Sequence, residues 1–193
     1  MEPKIELSRG SILISEPYLT DLSNYIEKPF YKRSIVILTE HDDLGSSGFI
    51  LNKPTDFNIT EALDGFPSFN SILHFGGPIN SDTLFYVHTI GEKLENSQKL
   101  TENIYWGGNY DQLKILIDTK QVTPEMIRFY AGYSEWVPNQ LKYEIEDELW
   151  MLPTFNREIV FNKEPTTLWS SVLKSMGGKY SLMANYPEDP RLN

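Results

Sequence analysis

Apolar residues along this chain gather in short runs bounded by Gly, Pro, Asn and Ser, and only a few stretches show helical spacing. Ser11-Ile12-Leu13-Ile14, between Gly10 and Pro17, predicts a buried strand. Ser34 to Thr39 is β-branched and continuously apolar, as in a central strand covered on both faces. His41 to Gly48 supplies turn chemistry before Phe49-Ile50-Leu51, so these two runs predict a hairpin, which Asn52-Lys53-Pro54 ends. Asn58 with Glu61 predicts a capped short helix, stopped by Gly65 and Pro67. Ile72 to Phe75 and Leu84 to His88, on either side of Gly76-Gly77-Pro78, predict a second pair of strands. Residues 91–102 are polar and non-periodic, hence an exposed loop.

Ile104-Tyr105-Trp106 predicts a strand, and Asn109 caps a helix that ends near Thr119 with Tyr110, Leu113, Leu116 and Ile117 on one face. Met126 to Ala131 is a strand again, which completes a βαβ unit. A Gly132-Tyr133 turn then leads into a helix. Its apolar stripe is Leu141, Ile145 and Leu149, and Gln140, Glu144 and Glu148 stack beside it. Pro165 starts a last helix, with Leu168, Trp169, Val172, Leu173 and Met176 at helical spacing, closed by Gly177-Gly178. Pro17 to Pro29 reads as a loop pinned by Phe30 and Tyr31, and residues 186–193 as a flexible tail. The expected fold is α+β: a compact single domain over residues 1–193 with a mixed sheet, built from hairpins and one βαβ unit and flanked by helices.

With 193 residues the chain can bury about 70% of its unfolded surface without a metal or disulfide. Cysteine is absent, which removes thiolate catalysis and Cys-type metal sites and suits a reducing cytoplasm. The first residues show no basic stretch followed by an apolar core, and no apolar run is long enough for a membrane span, so a cytoplasmic location without membrane contact is expected. The net charge of -10 repels phosphate, and the scattered Lys28, Lys32 and Arg33, or Lys174 and Lys179, build no basic patch against it. Direct nucleic-acid binding is disfavoured.

Candidate chemistry is sparse. Gly132-Tyr133-Ser134-Glu135-Trp136 approaches a nucleophile elbow but has Trp in place of the second Gly, so Ser134 reads as an ordinary serine. His41, His74 and His88 never stand at metal-ligand spacing, and no phosphate loop or dinucleotide fingerprint occurs. No metal, cofactor or catalytic set is assigned. His41, beside two aspartates, is the best functional histidine, whereas His74 and His88 in apolar strands read as structural. Turns at Gly45 to Gly48, Gly76-Gly77 and Gly107-Gly108 could form a pocket of backbone N–H groups if they meet at one sheet edge.

The ordered motifs resemble the AlgH/YqgE family of small bacterial proteins. Glu40-His41-Asp42-Asp43-Leu44-Gly45, Gly48 and Asn52-Lys53-Pro54 match its first motif, and Gly76-Gly77-Pro78 its second. Gly132, Tyr133, Trp136, Gln140, Leu141, Glu144, Ile145 and Trp150 match the third, and the likeness spans residues 10 to about 180. Asn139 replaces the usual Gly, which could alter the start of the helix, and Thr39 stands where many members have Cys. The resemblance implies a compact α+β fold and brings no activity. The family carries a transcriptional-regulator label, but this chain shows no helix-turn-helix with a basic recognition helix. The leading expectation is a cytoplasmic regulatory protein that binds a small ligand or a protein through His41, Asn52, Gly76, Gly77, Pro78, His88, Tyr133, Trp136, Gln140 and Glu144. The alternatives are a hydrolase using His41 or His88 with Glu144 and, further off, a direct DNA binder.

Overall fold

The computed structural model describes residues 7–17 and 29–187. The expected loop at 17–29 and tail at 186–193 fall almost wholly outside these residues. Within them the backbone forms one mixed ten-stranded sheet. Its main path comprises β1 (Ile12–Ser15), β2 (Ile35–Asp42), β3 (Gly45–Ile50), β6 (Ile79–His88), β7 (Gln98–Thr101), β8 (Ile104–Trp106), β9 (Ile127–Trp136) and β10 (Trp150–Met151), in the order β10-β1-β2-β3-β9-β6-β8-β7. Two further strands, β4 (Pro54–Asn58) and β5 (Ile72–Phe75), attach through β9. The helices are α1 (Ile59–Ala62), α2 (Tyr110–Asp118), α3 (Gln140–Glu146), α4 (Arg157–Val160), α5 (Pro165–Met176) and α6 (Gly178–Met183).

The α+β class and the mixed sheet hold, and β9 organises them. It pairs antiparallel with β6 along one edge; along the other it pairs parallel with β5 and then antiparallel with β3. β8, α2 and β9 make the expected βαβ unit in split form: both strands run antiparallel to β6, hence parallel to each other, with β6 between them. The helix caps follow the sequence reading. Asn58 and Glu61 form a full capping box, and Asn109 Oδ1 accepts from the Gln112 N–H at 3.1 Å.

Several expectations are corrected. The His41–Gly48 loop is mostly strand, because β2 and β3 stay paired out to Asp42 opposite Gly45. The second pair of strands is no hairpin: β5 and β6 bind opposite edges of β9, since Gly76-Gly77-Pro78 passes under that strand instead of folding back. The 91–102 loop contains β7, whose Leu100 is buried together with Leu94. No turn occurs at Gly132-Tyr133. β9 continues through it to Trp136, with Gly132 at φ +70° inside a register shift opposite Ile79 to Leu84. β4, β10, α4 and α6 have no clear pattern in the sequence.

Three cores result. On one face of the sheet, Ile14, Ile37, Phe49, Val87 and Tyr130 pack beneath Leu168, Trp169, Val172 and Leu173 of α5, the face predicted for that helix. On the opposite face, Leu113, Leu116 and Ile117 of α2 cover Phe129 and Ile127. A third core packs Tyr31, Trp136, Leu141 and Trp150 over Leu13, Val36 and Leu38. Burying each such side chain contributes roughly 1.5–3 kcal/mol.

Candidate functional site

The third core, below α3, brings together Trp136, Gln140 and Glu144 of the candidate residues. Trp136 ends β9, residues 137–139 turn the chain, and α3 then brings Gln140 and Glu144 back over the strand. Asn139 stands at φ +65°, the left-handed conformation that Gly adopts freely and Asn adopts more readily than most residues. The replacement of Gly therefore leaves the helix start intact.

Glu144 is only 5% exposed. Its Oε2 accepts from the indole N–H groups of Trp136 and Trp150, each at 2.7 Å, and its Oε1 accepts from Gln140 Nε2 at 2.8 Å. Gln140 Oε1 in turn accepts from the Val137 N–H at 3.0 Å, which fastens the turn to the helix. A buried carboxylate held by three neutral donors and facing no cation is tied to structure; each of those donors would lose its partner without it. Tyr31 stacks on Trp136 at 6.1 Å and meets Trp150 edge-on at 5.7 Å. Burial pushes its phenol up to about 12; a Ser134 hydrogen bond opposes this and the Glu144 charge adds to it. Glu148, expected in the same stripe, lies past the helix end at φ +58°, is exposed, and reaches Lys179 at 3.6 Å.

The other motif residues also serve the backbone. Gly76 and Gly77 are buried against β9 so closely that a Cβ on either would overlap the Gly132 or Tyr133 main chain. Pro78 is half-buried beside them. Tyr133, in β9, packs edge-on against Phe85 at 5.6 Å. Ser134 sits within β9, fully buried, and its hydroxyl donates to the Gly76 carbonyl at 3.3 Å, so it is no exposed nucleophile elbow. Asn52 ties β3 to the start of β2: Oδ1 accepts from Ile35 N–H and Nδ2 donates to Arg33 O, both at 2.8 Å. Thr39 pairs with Ser47 through their hydroxyls at 2.9 Å.

His41 Nδ1 lies 2.8 Å from Ser46 Oγ, and Ser46 is the register partner of Trp136, so His41 belongs to this end of the sheet. His88 does not. It is opposite Ile127 at the start of β9, about 30 Å of strand from Trp136. Its Nε2 donates to Gly107 O at 2.9 Å, its Nδ1 accepts from Ile90 N–H at 3.3 Å, and burial lowers its pKa to about 4. His88 and Glu144 thus do not form an acid/base pair. Among the described residues no cluster of His, Asp and Glu could hold a metal, and no helix is long and apolar enough to cross a membrane.

The sequence reading missed the outer surface of this corner. Leu44 at the β2–β3 tip, Val137 in the turn and Tyr143 on α3 are 85%, 64% and 59% exposed. Gly45 packs against the Trp136 carbonyl and Val137 main chain, so Leu44, one residue earlier, belongs to the same edge as Val137. Asp42, Asp43, Glu135, Glu146 and Asp147 are exposed on the same three segments. An Asp-Asp-Leu-Gly turn carries an apolar tip in the sequence itself; that Val137 shares its edge does not follow from sequence.

A family model described as AlgH-like matches residues 12–181. A UPF0301 protein of Cytophaga hutchinsonii is 42% identical over 188 residues, covering 97% of this chain and all of the relative. A UPF0301 protein of Chlorobaculum parvum is 40% identical over 187 residues, covering 97% and 96%. The solution structure of the AlgH protein from Pseudomonas aeruginosa superimposes with a TM-score of 0.70 at 23% identity, over 97% of this chain and 98% of that one. A crystal structure of a Corynebacterium diphtheriae protein gives 0.74 at 20% identity, over 96% and 95%. Both structures share the fold.

Proposed function

Since the chain belongs to the AlgH-like family, whose third motif here locks Trp136, Gln140, Glu144 and Trp150 into a rigid corner, we propose that this corner works as a protein-docking surface. The observation that carries this reading is the exposure of Leu44 and Val137 on the same edge above a fully hydrogen-bonded interior. Their acidic surround selects a partner with a basic rim around an apolar anchor. A regulatory role in the cytoplasm, exercised by this docking rather than by contact with DNA, fits the net charge of -10. The hydrolase alternative has less support, because Glu144 and His88 spend their hydrogen-bonding capacity on structural partners.

The test is site-specific photo-crosslinking in cells, with the reactive residue at Val137 or, as control, at Ile115, which is equally exposed on α2. A discrete adduct to a basic protein at 137, absent at 115 and abolished by Leu44→Asp without loss of melting temperature, is expected. Equal labelling from both positions, or an adduct indifferent to Leu44→Asp, overturns the reading.

A further inference from the structure

Away from the α3 corner, buried polar atoms without a hydrogen-bond partner lie on the face of the sheet that α5 covers: Arg128 Nη1, Tyr130 Oη and His74 Nε2. Register puts them together. Arg128 and Tyr130 alternate onto one face of β9, and Tyr130 is the direct partner of His74 on the parallel β5. The His74 and Tyr130 ring centroids lie 5.9 Å apart. Trp106 Nε1, also unpartnered, continues the Arg128 row beyond Val87 of β6.

Each group has a defined capacity. Arg128 Nη2 donates to the Asn162 carbonyl at 2.7 Å, which leaves Nη1 unused, and among the described residues no carboxylate pairs with this guanidinium. Tyr130 is fully buried and its hydroxyl is free to donate. His74 is 5% exposed; its Nδ1 is 3.1 Å from the Ile72 carbonyl, an acceptor only, so Nδ1 carries the proton and Nε2 presents a lone pair. Burial, and after it the Arg128 charge, lowers His74 to about 4 and keeps it neutral.

A half-buried cation whose Nη1 is buried and unused, with no counter-ion among the described residues, beside one hydroxyl donor and one lone pair, complements a narrow ligand chemistry. The ligand needs negative charge and oxygens for Arg128 and Tyr130, and an O–H of its own for His74. Water supplies the O–H without charge; sulfate supplies charge without the O–H. We propose that Arg128, Tyr130 and His74 form an internal site for a small oxyanion that retains a proton, of the hydrogen phosphate or bicarbonate type. Asn162, whose carbonyl holds Arg128, also lines the cleft of about 680 Å³ between residues 153–159 and α5, which puts the guanidinium one residue from a solvent-open space.

The test uses the full chain at pH 7 and matched ionic strength, titrated with sodium phosphate, bicarbonate or sulfate and followed by calorimetry and thermal unfolding. Phosphate or bicarbonate should bind saturably and about tenfold or more tighter than sulfate, the factor that one hydrogen bond to a charged group confers. Whichever of the two binds identifies the source of the oxyanion. Tyr130→Phe, which removes only the hydroxyl, should weaken binding about tenfold without lowering the anion-free melting temperature; Arg128→Gln should abolish binding. Stabilisation no greater with phosphate and bicarbonate than with sulfate overturns the proposal. So does unchanged binding in Tyr130→Phe, which folds even if Arg128→Gln does not.

Discussion

Glu144 decides more than any other single residue at the α3 corner, because two indole N–H groups and one amide converge on its carboxylate. Glu144→Gln keeps one carbonyl oxygen for the indoles but turns an N–H₂ toward that of Gln140. It should cost about 1–3 kcal/mol in urea unfolding, and Glu144→Ala, which orphans both indoles, about 3 kcal/mol or more. Asn139 offers a gentler test of the same corner. At φ +65°, Asn139→Gly should be neutral or stabilising, while Asn139→Ala should cost about 1 kcal/mol, both read from the denaturation midpoint. The spacing of Gln140, Glu144 and Glu148 was visible along the chain, but a shared stripe does not reveal which member the helix turns inward. Helix α3 ends before Glu148, so only Glu144 is covered.

Among the elements, β9 departs furthest from its local pattern. Gly and Tyr at 132 and 133 resemble a strand end, yet cross-strand bonds to β3 carry the strand on to Trp136. This continuation depends on Gly76-Gly77 lying flat against it. Gly77, at φ +153° with its Cα facing the Tyr133 carbonyl, has no room for a side chain. Gly77→Ala should destabilise by about 3 kcal/mol or more, seen as a lower melting temperature or loss of soluble protein. Hairpin β2–β3 and helices α1, α2 and α5 were legible because their signals are local: alternation or helical spacing, a cap residue, a Gly or Pro stop. Strands β4, β7 and β10 were not, since β4 and β7 are short and mostly polar, β10 is only two residues long, and all three are held as strands by their neighbours.

Across the whole molecule, His74 and His88 are both buried neutral, with pKa values lowered to about 4. Between that value and the ordinary 6.5 the unfolded chain binds more protons than the folded one. Stability is therefore complete above pH 6.5 and falls as pH drops toward 4, by at most about 3 kcal/mol per histidine. Melting temperature measured across this window should fall steeply with acid. His88→Gln, which keeps an N–H for the Gly107 carbonyl and cannot charge, should remove about half of the slope. The sequence by itself determined the α+β class, the family and the capped helices, because hydrophobic period, cap residues and ordered motifs are properties of neighbouring residues. Only the tertiary structure decided that β5 and β6 flank β9, that Glu144 is buried while Glu148 is not, and that Arg128, Tyr130 and His74 share one face of the sheet. Those facts depend on which distant strands share an edge, and hydrogen-bond pairing between strands leaves no mark on the spacing within either one.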